Sequence, residues 1–200
     1  MRLKKDYFAE KANGYDAEKN MTQNVSNIAQ GILKEISFSK KMKIMDFGSG
    51  TGLLLSQIAP YVGSITAVDI SKSMNDILCK KEIACEIQML ELDLTKEQLN
   101  EKFDSIISSM TLHHIDRVNV LFKKFYNLLE NNGTIAIADL DIEDGSFHTE
   151  DTGVFHLGFN REEFKGFARD AGFRNIKIQS TSVVEKPTGN YHVFLLTAEK

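Results

Sequence analysis

The stretch Ile44-Met45-Asp46-Phe47-Gly48-Ser49-Gly50-Thr51-Gly52-Leu53-Leu54 constrains this chain more than any other. Apolar residues lead into an acid, three glycines alternate with small hydroxyl residues, and an apolar run resumes. The pattern predicts a buried strand over residues 42–47 and a helix from Gly52, with Leu54, Leu55, Ile58 and Ala59 at helical spacing. Glycines between a strand and a helix permit positive φ and let backbone approach a ligand with no Cβ in the way. A helix start there is expected to offer free N–H groups and a positive dipole end to a negatively charged group. The stretch reads as a ligand cradle.

The dinucleotide fingerprint G-x-G-x-x-G/A does not fit, because Leu53 stands at its third glycine position. The spacing is Asp-x-Gly-x-Gly-x-Gly, and Asp46 to Gly52 resembles the first motif of class I S-adenosylmethionine (SAM)-dependent methyltransferases. That resemblance implies a loop of Gly48, Ser49, Gly50 and Gly52 passing beside the methionine part of SAM, with Asp46 close to it.

Later strand ends extend the match. Ile65, Ala67 and Val68 form a second strand ending in Asp69, 19 residues after Gly50, where a βαβ unit delivers its next carboxyl end. A carboxylate there suits the two hydroxyls of a ribose; the alternative is an N-cap or surface acid, with Ser71 and Ser73 competing to cap the next helix. Ile70 and Met74 then flank the adenine. A third strand over residues 85–92 ends in Asp93-Leu94, which resembles the family's adenine station, with Asp93 accepting from the exocyclic amine. Residues 103–110 form a fourth strand, and by resemblance Ser109 and Met110 lie beside the cofactor. Near the N-terminus, Phe8-Ala9-Glu10-Lys11-Ala12-Asn13-Gly14-Tyr15-Asp16 is similar to a family segment whose tyrosine covers the cofactor carboxylate. Tyr15 alternatively anchors an N-terminal lid.

Asp16 is expected to cap a helix with Val25, Ile28, Ala29, Ile32, Leu33 and Ile36 on one face. Asp116 is expected to cap another, carrying Val118, Leu121, Phe122, Phe125 and Leu128 and stopped by Asn131-Asn132-Gly133. A fifth strand follows over residues 134–140. Asn160 and Glu163 resemble a capping box, and two closing strands joined through residues 186–190 must pair antiparallel. The expected fold is α/β: a Rossmann-like three-layer sandwich with a seven-stranded, mostly parallel sheet and an antiparallel C-terminal hairpin. Residues 1–38 form an N-terminal helical lid on a single SAM-binding domain, residues 39–200.

Composition narrows the partners. A net charge of −4 without a basic block argues against nucleic acid. Cys79 and Cys85 lack zinc-finger spacing, and no apolar run of 18 exists. A cytoplasmic protein without a membrane span is expected, as monomer or homodimer. The resemblance implies SAM as cofactor, S-adenosylhomocysteine as product, and methyl transfer to an O, N or S atom of a small-molecule acceptor at the carboxyl ends of strands 4 and 5. Two readings compete: an NAD oxidoreductase on a similar sheet, and a SAM-binding protein without turnover.

Sulfonium SAM is an activated donor, so positioning alone can supply about 7–11 kcal/mol. A base helps where the acceptor is protonated. Candidates are His113, His148 and His156, from loops expected to face the methyl group. The His113-His114 pair alternatively packs beneath its strand. Asp139, Asp141, Glu143 and Asp144 are expected to cap turns or attract a cationic acceptor. No metal is expected, since His148, His156 and nearby acids fit no standard ligand set.

Overall fold

A computed structural model describes residues 6, 7, 9 and 12–200 apart from 149, leaving Phe8, Glu10 and Lys11 of the N-terminal segment outside the described residues. Among the described residues, five α-helices and seven strands follow in the order α1 (Lys19–Glu35), β1 (Lys43–Phe47), α2 (Leu53–Ile58), β2 (Ser64–Asp69), α3 (Lys72–Leu78), β3 (Glu86–Glu91), β4 (Phe103–Ser109), α4 (Val118–Leu128), β5 (Leu129–Leu140), α5 (Arg161–Ala171), β6 (Arg174–Lys186) and β7 (Gly189–Glu199). The strands form one sheet in the order β3-β2-β1-β4-β5-β7-β6. Pairing is parallel from β3 to β5, and β7 runs antiparallel to both β5 and β6. This is the expected seven-stranded sandwich.

Side chains alternate across a strand, so each central strand feeds two cores. Ile44, Ile107, Ala136 and Leu195 pack with Val25, Ile28 and Ile32 of α1 and Leu54, Leu55 and Ile58 of α2. Met45, Ile106, Ile137 and Phe194 pack with Leu121, Phe122 and Phe125 of α4 and Phe164 of α5. The second core is aromatic: Phe164 stands edge-on to Phe122, with centroids 5.3 Å apart, and to Phe194 at 4.9 Å.

The same alternation aims Asp46 at the α2 side, beneath the glycine loop, with only 1 % of its surface exposed. Chain order reverses at β1, whose neighbours are β2 on one side and β4 on the other. The crevice beyond the carboxyl ends of β1 and β4 is therefore the switch point where such sheets take ligands.

Three local expectations need correction. Asp16 does not cap α1. The cap position is Glu18, which makes no side-chain cap bond, while Asp16 sits in a 3₁₀ turn, Ala12–Ala17, and accepts from the Thr51 hydroxyl at 2.6 Å. It also pairs with Lys81, so it ties the N-terminal turn to the glycine loop. Asp116 does not cap α4, because Arg117 holds that position without a side-chain bond. Asn131-Asn132-Gly133 does not end that helix either. Leu129 is already extended and pairs with Phe103, and the strand then bulges through Asn132, at φ 62°, before Ser105 meets Thr134. Burial of Leu129 ends α4 early. By contrast, Asn160 caps α5 as expected, accepting from the Glu162 and Glu163 N–H groups.

The segment over residues 12–36 has two parts. α1 is a layer of the sandwich, with Asn20 bonded to the Glu185 carbonyl of β6. The 3₁₀ turn before it reaches across the strand ends. Among the described residues, no helix is long and apolar enough to cross a membrane.

Candidate functional site

A cavity of about 500 Å³ opens at the switch point, within the usual size range of ligand sites. Its walls bring together Tyr15, Gly48, Gly50, Asp69, Ile70, Met74, Asp93, Leu94, Ser109 and Met110 of the cofactor residues expected above, and His113 and His148 of the catalytic candidates. Asp46, Ser49 and Gly52 do not line it. His156 lies outside it, its Nε2 against the Ile115 carbonyl at 2.9 Å, where it staples the β5–α5 loop to the chain after β4.

The loop works differently from the expected anion cradle. Four of its N–H groups are spent within the protein: Gly48 and Ser49 donate to the Val68 carbonyl, Gly52 donates to the Ser49 carbonyl, and Gly50 donates to Asp69 Oδ2 at 2.8 Å. What the loop provides is access. A Cβ built on Gly50, at φ +53°, meets nothing within 4 Å, whereas one on Gly48 strikes the Thr111 side chain at 2.2 Å. Gly48 is thus a packing requirement, and Gly50 is the bare backbone facing the cavity.

Asp69 holds the next corner. Oδ1 accepts from Ser71 N–H and Oδ2 from Gly50 N–H, both at 2.8 Å, so β2 and the loop are locked together. Each oxygen keeps a second lone pair for a ligand. Burial pushes this carboxyl above the ordinary value, and those two N–H groups pull against it. Ile70 beside it is 59 % exposed at the cavity wall, an apolar surface a ligand would cover. Asp93 Oδ1 accepts from the backbone and hydroxyl of Thr95, and Oδ2 pairs with Lys96, which fixes the orientation of this third acid.

Three of the buried polar atoms without hydrogen-bond partners among the described residues belong to Asp46 (Oδ2) and Ser49 (Oγ) of the first motif and to Ser109 (Oγ) in the cavity wall. Met110 adopts φ 55°, a strained left-handed backbone at the end of β4. Burial pushes the Tyr15 hydroxyl up to about 12, with Glu18 adding to it, so it stays a hydrogen-bond donor at neutral pH. Three acids, Glu18, Asp69 and Asp93, line the cavity. Three imidazoles and Lys186 line it as well, with the Lys186 ammonium 3.8 Å from the Phe147 ring. Its wall offers bare backbone at Gly50, a carboxylate at Asp69 with acceptor capacity left over, and an orphaned hydroxyl at Ser109.

None of the four acids at and beyond the end of β5 lines the cavity. Asp139 holds His113 Nδ1 at 2.6 Å, Asp141 forms a two-bond pair with Arg161, Glu143 accepts from Gly145 and Phe147 N–H groups, and Asp144 accepts from Ser146. They organise the loop. Glu18, Met21, Thr111, His114, Phe147, Thr152 and Lys186 also line the cavity, and of these the sequence singled out only His114. A long β6, running to Lys186 rather than stopping near Val184, carries that lysine in.

Burial, with the Asp69 charge adding to it, pushes Asp46 up to about 8, against a backbone hydrogen bond from Leu55. A raised carboxyl favours the fold while protonated, so its contribution is full below the ordinary value near 4 and lost as pH rises towards 8. Asp46→Asn should therefore melt progressively higher than the unaltered protein across that window. Melting curves whose difference stays constant with pH would place the proton elsewhere.

Residues 19–178 match a family model described as a methyltransferase domain. An uncharacterized methyltransferase of Schizosaccharomyces pombe is 29% identical over 178 residues, covering 78% of this chain and 61% of that protein. A malonyl-[acyl-carrier protein] O-methyltransferase of Priestia megaterium is 26% identical, covering 67% of this chain. The matched region is 50% of that protein, so the chain spans about half to three fifths of these relatives. Among solved structures, phosphoethanolamine N-methyltransferase 2 of Haemonchus contortus, in complex with phosphomonomethylethanolamine and S-adenosylhomocysteine, superposes with a TM-score of 0.74. It is 15% identical, and the superposition covers 98% of this chain and 59% of that one.

Proposed function

The chain belongs to the methyltransferase domain family, and on that premise we propose that it transfers a methyl group from SAM to an O, N or S atom of a small-molecule acceptor. The observation that carries this reading is the cavity at the carboxyl ends of β1, β2 and β4, with Gly50 opening into it and Asp69 and Asp93 in its wall. Bound there, SAM supplies a methyl already activated on its sulfonium.

The chain's own residues then bind and align. Asp69 accepts from the ribose hydroxyls, Ile70 and Met74 sandwich the adenine, and Asp93 with Leu94 receives its amino edge. Gly48 and Gly50 let backbone run against the methionine part, while Asp46 and Ser49 support the loop. Tyr15 closes over the ligand, latched through its neighbour Asp16 to Thr51. Ser109 and Met110 face the reacting carbon. The acceptor enters between the ends of β4 and β5, where His113 and His148 take up its proton or hold its heteroatom, and Phe147 and Lys186 narrow the opening.

Calorimetric titration tests the first half: saturable binding of SAM and S-adenosylhomocysteine is expected, and capture of NAD in preference would overturn the reading. Methyl transfer to a panel of metabolites tests the second, since binding without turnover on any acceptor leaves a sensor. Asp69→Ala should weaken S-adenosylhomocysteine binding by about 1.5–3 kcal/mol, the range for hydrogen bonds to a charged group. An unchanged dissociation constant would remove Asp69 from the ribose.

A further inference from the structure

We propose that His113, His114 and His148 form a three-histidine site for a divalent transition metal, zinc by preference, at the acceptor end of the cavity. One ligand nitrogen from each ring lies within 4.8 Å of the others. Ring centroids are 4.3 Å apart for His113 and His114, 5.2 Å for His113 and His148, and 5.7 Å for His114 and His148. Zinc–nitrogen bonds near 2.0–2.1 Å in a tetrahedron set nitrogens about 3.3 Å apart. The widest gap must therefore close by about 1.5 Å. His148 stands on the β5–α5 loop, where a small rotation supplies that movement, and His113 stays fixed.

Each ring also has the outer partner that metal-bound histidines use to fix tautomer and orientation. His113 Nδ1 is held by Asp139 Oδ1 at 2.6 Å, leaving its Nε2 as ligand. Asp139 is fully buried and is itself braced by the Leu112 and Leu140 N–H groups. His148 Nδ1 lies 3.1 Å from the Thr152 hydroxyl, and backbone of Gly153 and Thr152 contacts His114. Three imidazoles with no thiolate suit zinc and its neighbours in the first transition row.

All three rings line the cavity, so the coordination position they leave open faces the acceptor. Three protein ligands with an open fourth position is the arrangement of catalytic rather than structural zinc. A hydroxyl or thiol bound there loses its proton to water more readily, as water does on zinc, and is held as an anion facing the methyl carbon. This role rests on the methyl-transfer reading above, while the metal site itself does not.

The test uses the full chain without a tag, stripped with a chelator and titrated with Zn²⁺ by calorimetry and with Co²⁺ by visible absorption. Saturable uptake of one Zn²⁺ and the intense bands of four- or five-coordinate Co²⁺ are expected. His148→Ala should weaken Zn²⁺ by more than about 100-fold, since losing an outer partner alone costs 10–100-fold. His192→Ala, exposed on β7 and outside the cavity, should leave it unchanged. No saturable uptake, or equal affinity in His148→Ala and the unaltered protein, overturns the site. S-adenosylhomocysteine binding measured in parallel separates the two readings. Binding without Zn²⁺ uptake overturns the metal alone, and Zn²⁺ uptake without such binding supports the metal while sinking methyl transfer.

Discussion

Gly50→Val should leave a folded protein that no longer binds SAM or S-adenosylhomocysteine. The backbone there is left-handed at φ +53°, and an added Cβ finds no protein atom within 4 Å. The fold therefore loses only the strain of an L-residue in that region, about 1–2 kcal/mol, read as a drop of a few degrees in melting temperature. The branched side chain projects into the cavity, where bare backbone would otherwise meet the ligand. Circular dichroism should show an intact α/β spectrum while calorimetry shows no heat of binding. A Gly50→Val protein that binds with unaltered affinity would mean the glycine loop faces empty solvent. Gly48→Ala makes the contrast, because its Cβ strikes Thr111 and its damage should appear first in stability.

The second large effect is Asp139→Ala. This carboxylate accepts from the Leu112, His113 and Leu140 N–H groups and from His113 Nδ1, with none of its surface exposed. Burial alone would push it up, but His113 beside it and these hydrogen bonds outweigh that and hold it below the ordinary carboxylate value. Removing it strands three backbone donors and an imidazole in the interior. Breaking a buried pair in this way costs about 3–5 kcal/mol, which urea unfolding measures directly. The sign with pH is opposite to that of Asp46: a depressed carboxyl stabilises above its unfolded value and loses that stabilisation as pH falls through its folded value. The unaltered protein should therefore lose stability in acid through Asp139, and Asp139→Ala should lack that part of the acid limb. A cost under about 1 kcal/mol would show that water reaches the stranded groups and satisfies them.

The acids Asp46, Asp69 and Asp93 were legible as a set because each ends an apolar run at the spacing of a βα unit. The structure puts those runs side by side as β1, β2 and β3. The central apolar stripe of α1 and the closing hairpin were legible from periodicity and a short turn. What failed were competitions between donors and acceptors. Nothing in the sequence shows that Gly50 spends its N–H on Asp69, or that Asp16 prefers Thr51 to a helix end. His148 meets His113 and His114 only because β4 and β5 pair in a register fixed by distant core residues. His156 has the same residue type and nearly the same address, yet a backbone carbonyl claims it. Spacing along the chain carries no information about such meetings.

The order of the last strands bears on how the molecule is made. β7 is threaded between β5 and β6 and supplies Val193, Phe194, Leu195 and Leu196 to both cores. On the ribosome, where chains emerge at about 5–20 residues per second, β5 and β6 must wait with bare edges for the strand that joins them. The nascent chain is thus expected to stay open to chaperones and proteases until β7 clears the exit tunnel. Arrested chains ending before Tyr191 should be cut readily, and those extended well past Lys200 should resist.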